Sequence, residues 1–402
     1  MSYMLALLIF ALVLFCAVMV SGWAERSVLS ISVIFLVTGV IIGQSILDLI
    51  EVQPQNPMVE RLIELAIFSV LFTDGMSFDL RQIREVWQLP GRALLLGMPL
   101  TLGAIAVLAH FLAGLSWLEA LLVGAILSPT DPVFAAAIVK RVEVPERLRK
   151  LLNVESGLND GLALPGVILM LNILNSAQRP LVSSVVELAA GLLIGSGISY
   201  LAIWVGRHLS LPPAGAYRPL HAFAIALIVL ALSYLLQANL FLAAFAAGVT
   251  IATFCAEIRD AFHLFGESLT QILKLVSLLV FGALLSLSVL TSMTLSTYLF
   301  AVLVIILARP LVIELVLLYS DLTWPERAVA AWFGPKGFSS IFYVLLVVRN
   351  DVPNSNHILH VVAIVIILSI LAHSSSDVGV ARWLRRALDQ RTAHTETSRE
   401  AT

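Results

Sequence analysis

The sequence predicts an all-α polytopic membrane protein of about 13 transmembrane helices, and three observations carry that prediction. Apolar residues fill 59% of the 402 positions and charged residues only 12%, where a soluble chain carries about a quarter. Mean hydropathy is +0.98. Apolar stretches of about twenty residues, each able to cross about 30 Å of hydrocarbon, recur from end to end. The alternating segments of about ten residues that mark a β-barrel are not visible.

The expected spans are about 3–21, 28–50, 59–77, 92–114, 118–139, 148–174, 181–206, 219–236, 238–256, 267–290, 296–319, 326–348 and 356–378. The first lacks a basic leader and a small-residue cleavage site, so it reads as a retained helix. The eighth and ninth are divided only at Gln237-Ala238. In the seventh, Gly191 and Gly195 form a Gly-x-x-x-Gly pattern suited to close helix packing, within the protomer or between protomers. Cys16 and Cys255 lie in apolar segments without ligand-like spacing and read as buried thiols.

Two spans are interrupted. The fifth carries Ser128-Pro129-Thr130-Asp131-Pro132 and the twelfth Gly334-Pro335-Lys336-Gly337. Proline lacks an amide donor and its ring clashes with the preceding turn, so Pro129, Pro132 and Pro335 should break their helices. Spans 1–6 and 8–13 then form two halves: repeat one at about 1–175 and repeat two at about 219–381, joined by a linker helix at about 180–207. An offset of seven spans inverts one half relative to the other, placing the two breaks in matching positions. Such a pair marks the binding site of a secondary transporter. Residues 1–381 form one transmembrane domain, and 382–402, short and mixed in charge, reads as a disordered cytoplasmic tail.

Basic residues orient the chain. Of 24 Lys and Arg, 18 follow odd-numbered spans or lie in the tail, among them Arg147, Arg149, Lys150, Arg382 and Arg385. The opposite side holds Arg61, Arg179 and Arg349, which puts the N-terminus outside and the C-terminus in the cytoplasm. Lys274, Arg309 and Lys336 fall within spans. Lys274 either snorkels to the interface or sits in the core. The net charge of −2 says nothing about partners, no basic patch suggests nucleic acid, and no motif calls for a cofactor.

The sixth span carries Glu155-Ser156-Gly157-Leu158-Asn159-Asp160. An ionisable side chain at the centre of a bilayer helix costs about 2.5–3.5 kcal/mol, so buried carboxylates here point to a cation or proton path. At about 100° per residue, Glu155 and Asn159 share one helix face, and Ser156 and Asp160 the adjoining one. A hydroxyl beside a carboxylate suits a hard cation such as sodium, and the Thr130 carbonyl at the broken helix adds an oxygen. Glu155 needs neutralising, and Arg309 is the available partner for a structural ion pair.

These motifs, with Ala308-Arg309 and Gly334-Pro335-Lys336-Gly337-Phe338-Ser339-Ser340, resemble those of NhaP-type sodium/proton antiporters. That family belongs to the monovalent cation/proton antiporter group, which includes the animal sodium/proton exchangers. The resemblance implies a homodimeric antiporter, not an enzyme, whose core domain moves against an interface domain. It implies a cation and proton site of Asp160, Asp131, Ser156, Thr130 and Asn159, with Glu155 at its border. Sodium would sit at Asp160, Ser156 and Thr130, and lithium or potassium could take its place. Asn159, where electrogenic relatives have a second Asp, implies electroneutral exchange. Lys336 departs from the arginine usual in relatives, which leaves its partner open. Asp74 is either the late acid of the third span found in relatives or a residue near the cytoplasmic mouth.

The mechanism expected is competition: Asp160 holds a proton or a cation, and the bare carboxylate crosses slowly. Rival readings are weaker. An intramembrane aspartyl protease could use Asp131 and Asp160, but its Tyr-Asp and Gly-x-Gly-Asp motifs are absent. A non-transporting sensor would have lost Asp160 or gained a signalling domain. Short loops without an Asn-x-Ser/Thr sequon fit the plasma (inner) membrane of a prokaryote, with roles in pH homeostasis and sodium tolerance.

Overall fold

A computed structural model describes residues 2–24, 31–49, 52, 56–81, 87–131, 144–174, 181–209, 215–350 and 352–400, whose regular structure is helical. The main helices are α1 (Ser2–Ala24), α2 (Ile31–Ile42), α3 (Pro57–Met76), α4 (Gln88–Leu112), α5 (Trp117–Leu127), α6 (Glu146–Leu174) and α7 (Leu181–Leu209). They continue with α8 (Arg218–Leu235), α9 (Leu240–Phe254), α10 (Ala256–Leu284), α11 (Leu295–Val316), α12 (Trp324–Trp332), α13 (Phe338–Arg349) and α14 (Ser355–Glu400). Seven stretches (α4, α6, most of α7, α8, α10, α11 and Ser355–His373 of α14) are long and apolar enough to cross a membrane, and five shorter apolar helices accompany them.

Each expected span contains a helix, and the twelfth contains two, α12 and α13. The fifth stops at Leu127, just before Pro129, and its continuation from Pro132 onward lies outside the described residues. The α8–α9 break falls where expected, with Gln237 in the left-handed region (φ 52°). The Asn239 carboxamide oxygen then caps α9 by accepting from the Leu242 amide at 2.9 Å.

Two groups of helices form. In the first, α7 and α3 pack on α9, and α2 and α3 pack on α10. Small residues bring these backbones together: a Cβ at Gly195 would strike the Ala243 carbonyl, and one at Gly191 would lie 2.5 Å from that of Asn239. The Gly-x-x-x-Gly pattern therefore serves packing of α7 on α9 inside the protomer. In the second group α4 packs on α5, α5 on α6, and α13 and α11 on α14. Helices α4 and α11, seven spans apart, each contain a π-helical turn, at Ala93–Gly97 and Val304–Ala308. Matching irregularities at that offset repeat the symmetry of the two breaks, and π-turns of this kind concentrate at functional sites.

Three expectations change. The tenth helix begins at Ala256 and not near 267, because Glu257, Arg259, Asp260 and Glu267 occupy the outer face of an amphipathic first half. Ile258, Phe262, Gly266 and Thr270 are the buried stripe of that half. The expected disordered tail is largely helical, since α14 runs on to Glu400. Val380, Leu384 and Leu388, at helical spacing, pack there with Phe333, Leu317 and Leu322. Cys16, expected buried, faces outward from α1, and Cys255 is half-buried.

Candidate functional site

Local sequence sets both breaks. Helix α5 starts at a capping box in which the Ser116 amide donates to Glu119 Oε2 at 2.8 Å, and it ends at Ser128-Pro129. Helix α12 starts where the Thr323 amide donates to Glu326 Oε2 at 2.7 Å, and it ends at Phe333 before Gly334-Pro335. Each break leaves helix-end carbonyls without helical partners.

Those carbonyls are met by donors from elsewhere in the chain. Lys336 Nζ donates to the carbonyls of Ser128 (3.3 Å) and Pro129 (3.1 Å), and the Ser340 hydroxyl to that of Ile126 (2.8 Å). The partner of Lys336 is thus the end of α5, a task that a point-like ammonium with three donors performs without a planar fork. Arg309 Nη1 donates to the carbonyls of Ala330 (3.0 Å) and Ala331 (2.9 Å) at the end of α12, and His373 Nε2 lies 3.0 Å from that of Trp332. A Cβ at Gly334 would overlap the Arg309 side chain, which explains a glycine there. In the other direction, Asp131 Oδ2 accepts from the Phe338 amide (2.6 Å), the first of α13, and the Asp131 amide donates to the Pro335 carbonyl (2.8 Å). Carboxylate at a helix start and cation at a helix end both match the helix dipole.

Helix α6 runs past the crossing and presents its motif in three directions. Glu155 Oε1 accepts from Arg309 Nη2 at 2.6 Å, the ion pair expected from sequence. Asn159 Nδ2 donates to Thr130 Oγ1 (2.7 Å) and to the Thr130 carbonyl (3.2 Å), while Ser156 Oγ lies 3.2 Å from Thr130 Oγ1. Asp160 Oδ2 accepts from the Ser339 hydroxyl and its carbonyl from the Tyr343 hydroxyl, both at 2.5 Å. Ser156 and Asn159, on adjoining faces, thus both meet Thr130, while Asp160 meets α13. Asp160 is 3% exposed, and its Oδ1 has no hydrogen-bond partner among the described residues.

The structure brings Thr130, Asp131, Glu155, Ser156, Asn159, Asp160, Arg309, Lys336 and the Gly334–Gly337 break together, with Pro129 at the end of α5. Sequence reasoning gave no role to Ser339 and Tyr343, although Ser339 was visible in the motif after the break. One turn beyond it, Tyr343 had no signal apart from that helical spacing. Asp74, on α3, interacts electrostatically with Asp160 and Asp131. Lys274 is buried in the core, with Nζ 5.3 Å from the centroid of the Phe338 ring. Both come from the other helix group, on α3 and α10. Among the described residues no three His, Cys, Asp or Glu side chains form a metal cluster, so an ion here would use mixed oxygens from carboxylate, hydroxyl and backbone.

Comparison with known proteins bears on the family and the fold. The family model described as sodium/hydrogen exchanger, transmembrane, matches residues 9–381. The chain is 26% identical over 388 residues to the K(+)/H(+) antiporter NhaP of Alkalimonas amylolytica, covering 95% of this chain and 67% of that protein. It is 27% identical over 389 residues to the K(+)/H(+) antiporter NhaP2 of Shewanella oneidensis, covering 93% and 66%. It thus spans about two thirds of the length of these curated relatives. Its fold is similar to that of the sodium proton antiporter MjNhaP1 from Methanocaldococcus jannaschii solved at pH 8, with a TM-score of 0.80 and 19% identity. That match covers 96% of this chain and 100% of the other.

Proposed function

The chain belongs to the sodium/hydrogen exchanger family, and from that premise we propose that it exchanges monovalent cations for protons across a membrane, with Asp160 as the shared carrier. One observation carries the reading. At the crossing of two broken helices the helix-end carbonyls of α5 and α12 are met by donors, whereas the buried Asp160 carboxylate keeps one oxygen without a partner among the described residues. That oxygen takes either a proton or a cation. Ser156 Oγ, one turn back on the same face, and the Thr130 oxygens complete a hard-cation ligand set.

Coupling follows from competition. Protonated or cation-loaded, Asp160 is neutral and the site crosses; bare, it carries a charge that makes crossing costly. Ser339 and Tyr343 hold the side chain and backbone of Asp160 on α13, so carrier and broken helix travel as one body. Asn159, engaged with Thr130, adds no second titrating carboxylate, which supports electroneutral one-for-one exchange.

Sodium is the first candidate cation, since hydroxyl and carboxylate oxygens suit it. Potassium is the second reading, supported by the names of the two curated relatives. We further propose that the protein is a homodimer in a prokaryotic plasma membrane, N-terminus outside and C-terminus cytoplasmic. Proton-sensitive dye dequenching in proteoliposomes, with lithium, sodium and potassium added in turn with and without a potential, tests the reading. Dequenching by at least one cation, independent of potential, is expected; no response to any cation rejects it.

A further inference from the structure

Between α4, α6 and α11 lies a cavity of about 10 Å³, whose polar wall is Thr101 of α4, Ser128, Arg309, and Glu155 and Asn159 of α6. Two of these wall residues each carry an oxygen, Glu155 Oε2 and Asn159 Oδ1, that has no hydrogen-bond partner among the described residues. Both side chains are buried, 5% and 2% exposed. The orientation of the Asn159 amide is fixed by its neighbour. The Thr130 carbonyl can only accept, so the amide nitrogen must face it at 3.2 Å, and Oδ1 is turned away.

Both orphan oxygens are acceptors only, so whatever lies between them must donate twice. Leaving two such oxygens buried and unmet is costly, and the cavity has about the volume that one water requires. We propose that it holds an ordered water molecule donating one hydrogen to Glu155 Oε2 and the other to Asn159 Oδ1. A metal cation suits the place poorly, because the Arg309 guanidinium, 2.6 Å from Glu155 Oε1, already supplies positive charge to this wall.

The water joins two sets of groups that otherwise do not touch. On one side is the ion pair of Arg309 and Glu155. On the other, Asn159 Nδ2 donates to Thr130 Oγ1 at 2.7 Å, so the Thr130 hydroxyl turns its own proton toward Ser156 Oγ at 3.2 Å. The order Arg309, Glu155, water, Asn159, Thr130, Ser156 makes the water a positioning element that fixes how the two hydroxyls face the carrier. This last step rests on the proposed cation site; the existence of the water does not.

The test has a structural and a kinetic arm. An experimental structure of the full chain in a lipid disc, at about 2 Å resolution, should show density about 2.6–3.2 Å from both oxygens. Thr101→Leu, which fills the cavity, should remove that density and raise the KM for the transported cation about tenfold, a change of one pK unit in binding terms. Thr101→Val, which keeps the shape, should retain both the density and the wild-type KM. An empty site between well-ordered Glu155 and Asn159 overturns the proposal, as does strong additional density at that point when thallium is supplied. Loss of the density in Thr101→Leu with an unchanged KM overturns the positioning role. Failure of the wild-type protein to transport any cation rejects the antiport reading and leaves the density measurement to decide the water.

Discussion

At the crossing of the two breaks, cations meet carbonyls; at the far end of α3 they meet carboxylates. Arg349, the last residue of α13, reaches Glu60 at 2.6 Å and Glu64 at 2.8 Å, and Arg61 reaches Glu64 at 2.7 Å. Tyr234 of α8 also bonds to Glu64. Both Glu64 oxygens are therefore engaged, and its cluster ties α3, α8 and α13 together. At the crossing, Lys336 and two Arg309 donors are directed to helix ends, and the ion pair of Arg309 with Glu155 leaves Asp160 outside it. The same residue types thus give an inert anchor in one place and an available carboxylate in the other. What differs is whether the cations neutralise acids or broken helices.

That contrast can be broken from either end. Asp160→Asn should have the largest effect, abolishing exchange in proteoliposomes, because the amide has no proton to trade; retained sodium–proton exchange would sink the carrier assignment. Glu155→Gln comes next. It leaves Arg309 buried without its acid, at a cost of about 3–5 kcal/mol, and should appear as a lowered melting temperature in detergent. Lys336→Met orphans two carbonyls at about 1–3 kcal/mol each, and Lys336→Arg should restore most of the loss. Arg349→Ala leaves Glu64 with Arg61 and Tyr234, so about 1–3 kcal/mol is expected, with the cation dependence of exchange unchanged. A shift in that dependence would show that the rim cluster is more than an anchor. Tyr343→Phe removes one hydrogen bond to a backbone carbonyl, worth about 1 kcal/mol, and is the mildest of the series.

Much of the fold was legible because hydrocarbon imposes strict rules. Span length, Pro129, Pro335 and the glycines around them located the helices and both breaks. The Glu155–Arg309 pair was legible because each is costly to bury without the other. The first half of α10 was not, since Glu257, Arg259 and Asp260 resemble a loop unless the buried stripe of Ile258 and Phe262 is read with them. The helical tail was missed for the same reason: Leu384 is spaced to pack, but the charges around it dominate the composition. Ser339 and Tyr343 escaped because their value depends on which way α13 faces after the break. Asp74 and Lys274 depend on how two helix groups meet, and only the folded chain decides that.

The reciprocal capping of the breaks also orders events in time. The end of α5 is completed by Lys336 and Ser340, made more than two hundred residues later. The first amide of α13, by contrast, finds Asp131 already made. A ribosome that has inserted the first half of this protein has left several carbonyls in the bilayer without their final donors, in a medium that offers few substitutes. The nascent first half must therefore stay hydrated, or sheltered by the insertion machinery, until the second half arrives. Chains released before Lys336 should be cleared by quality control instead of accumulating as half-transporters.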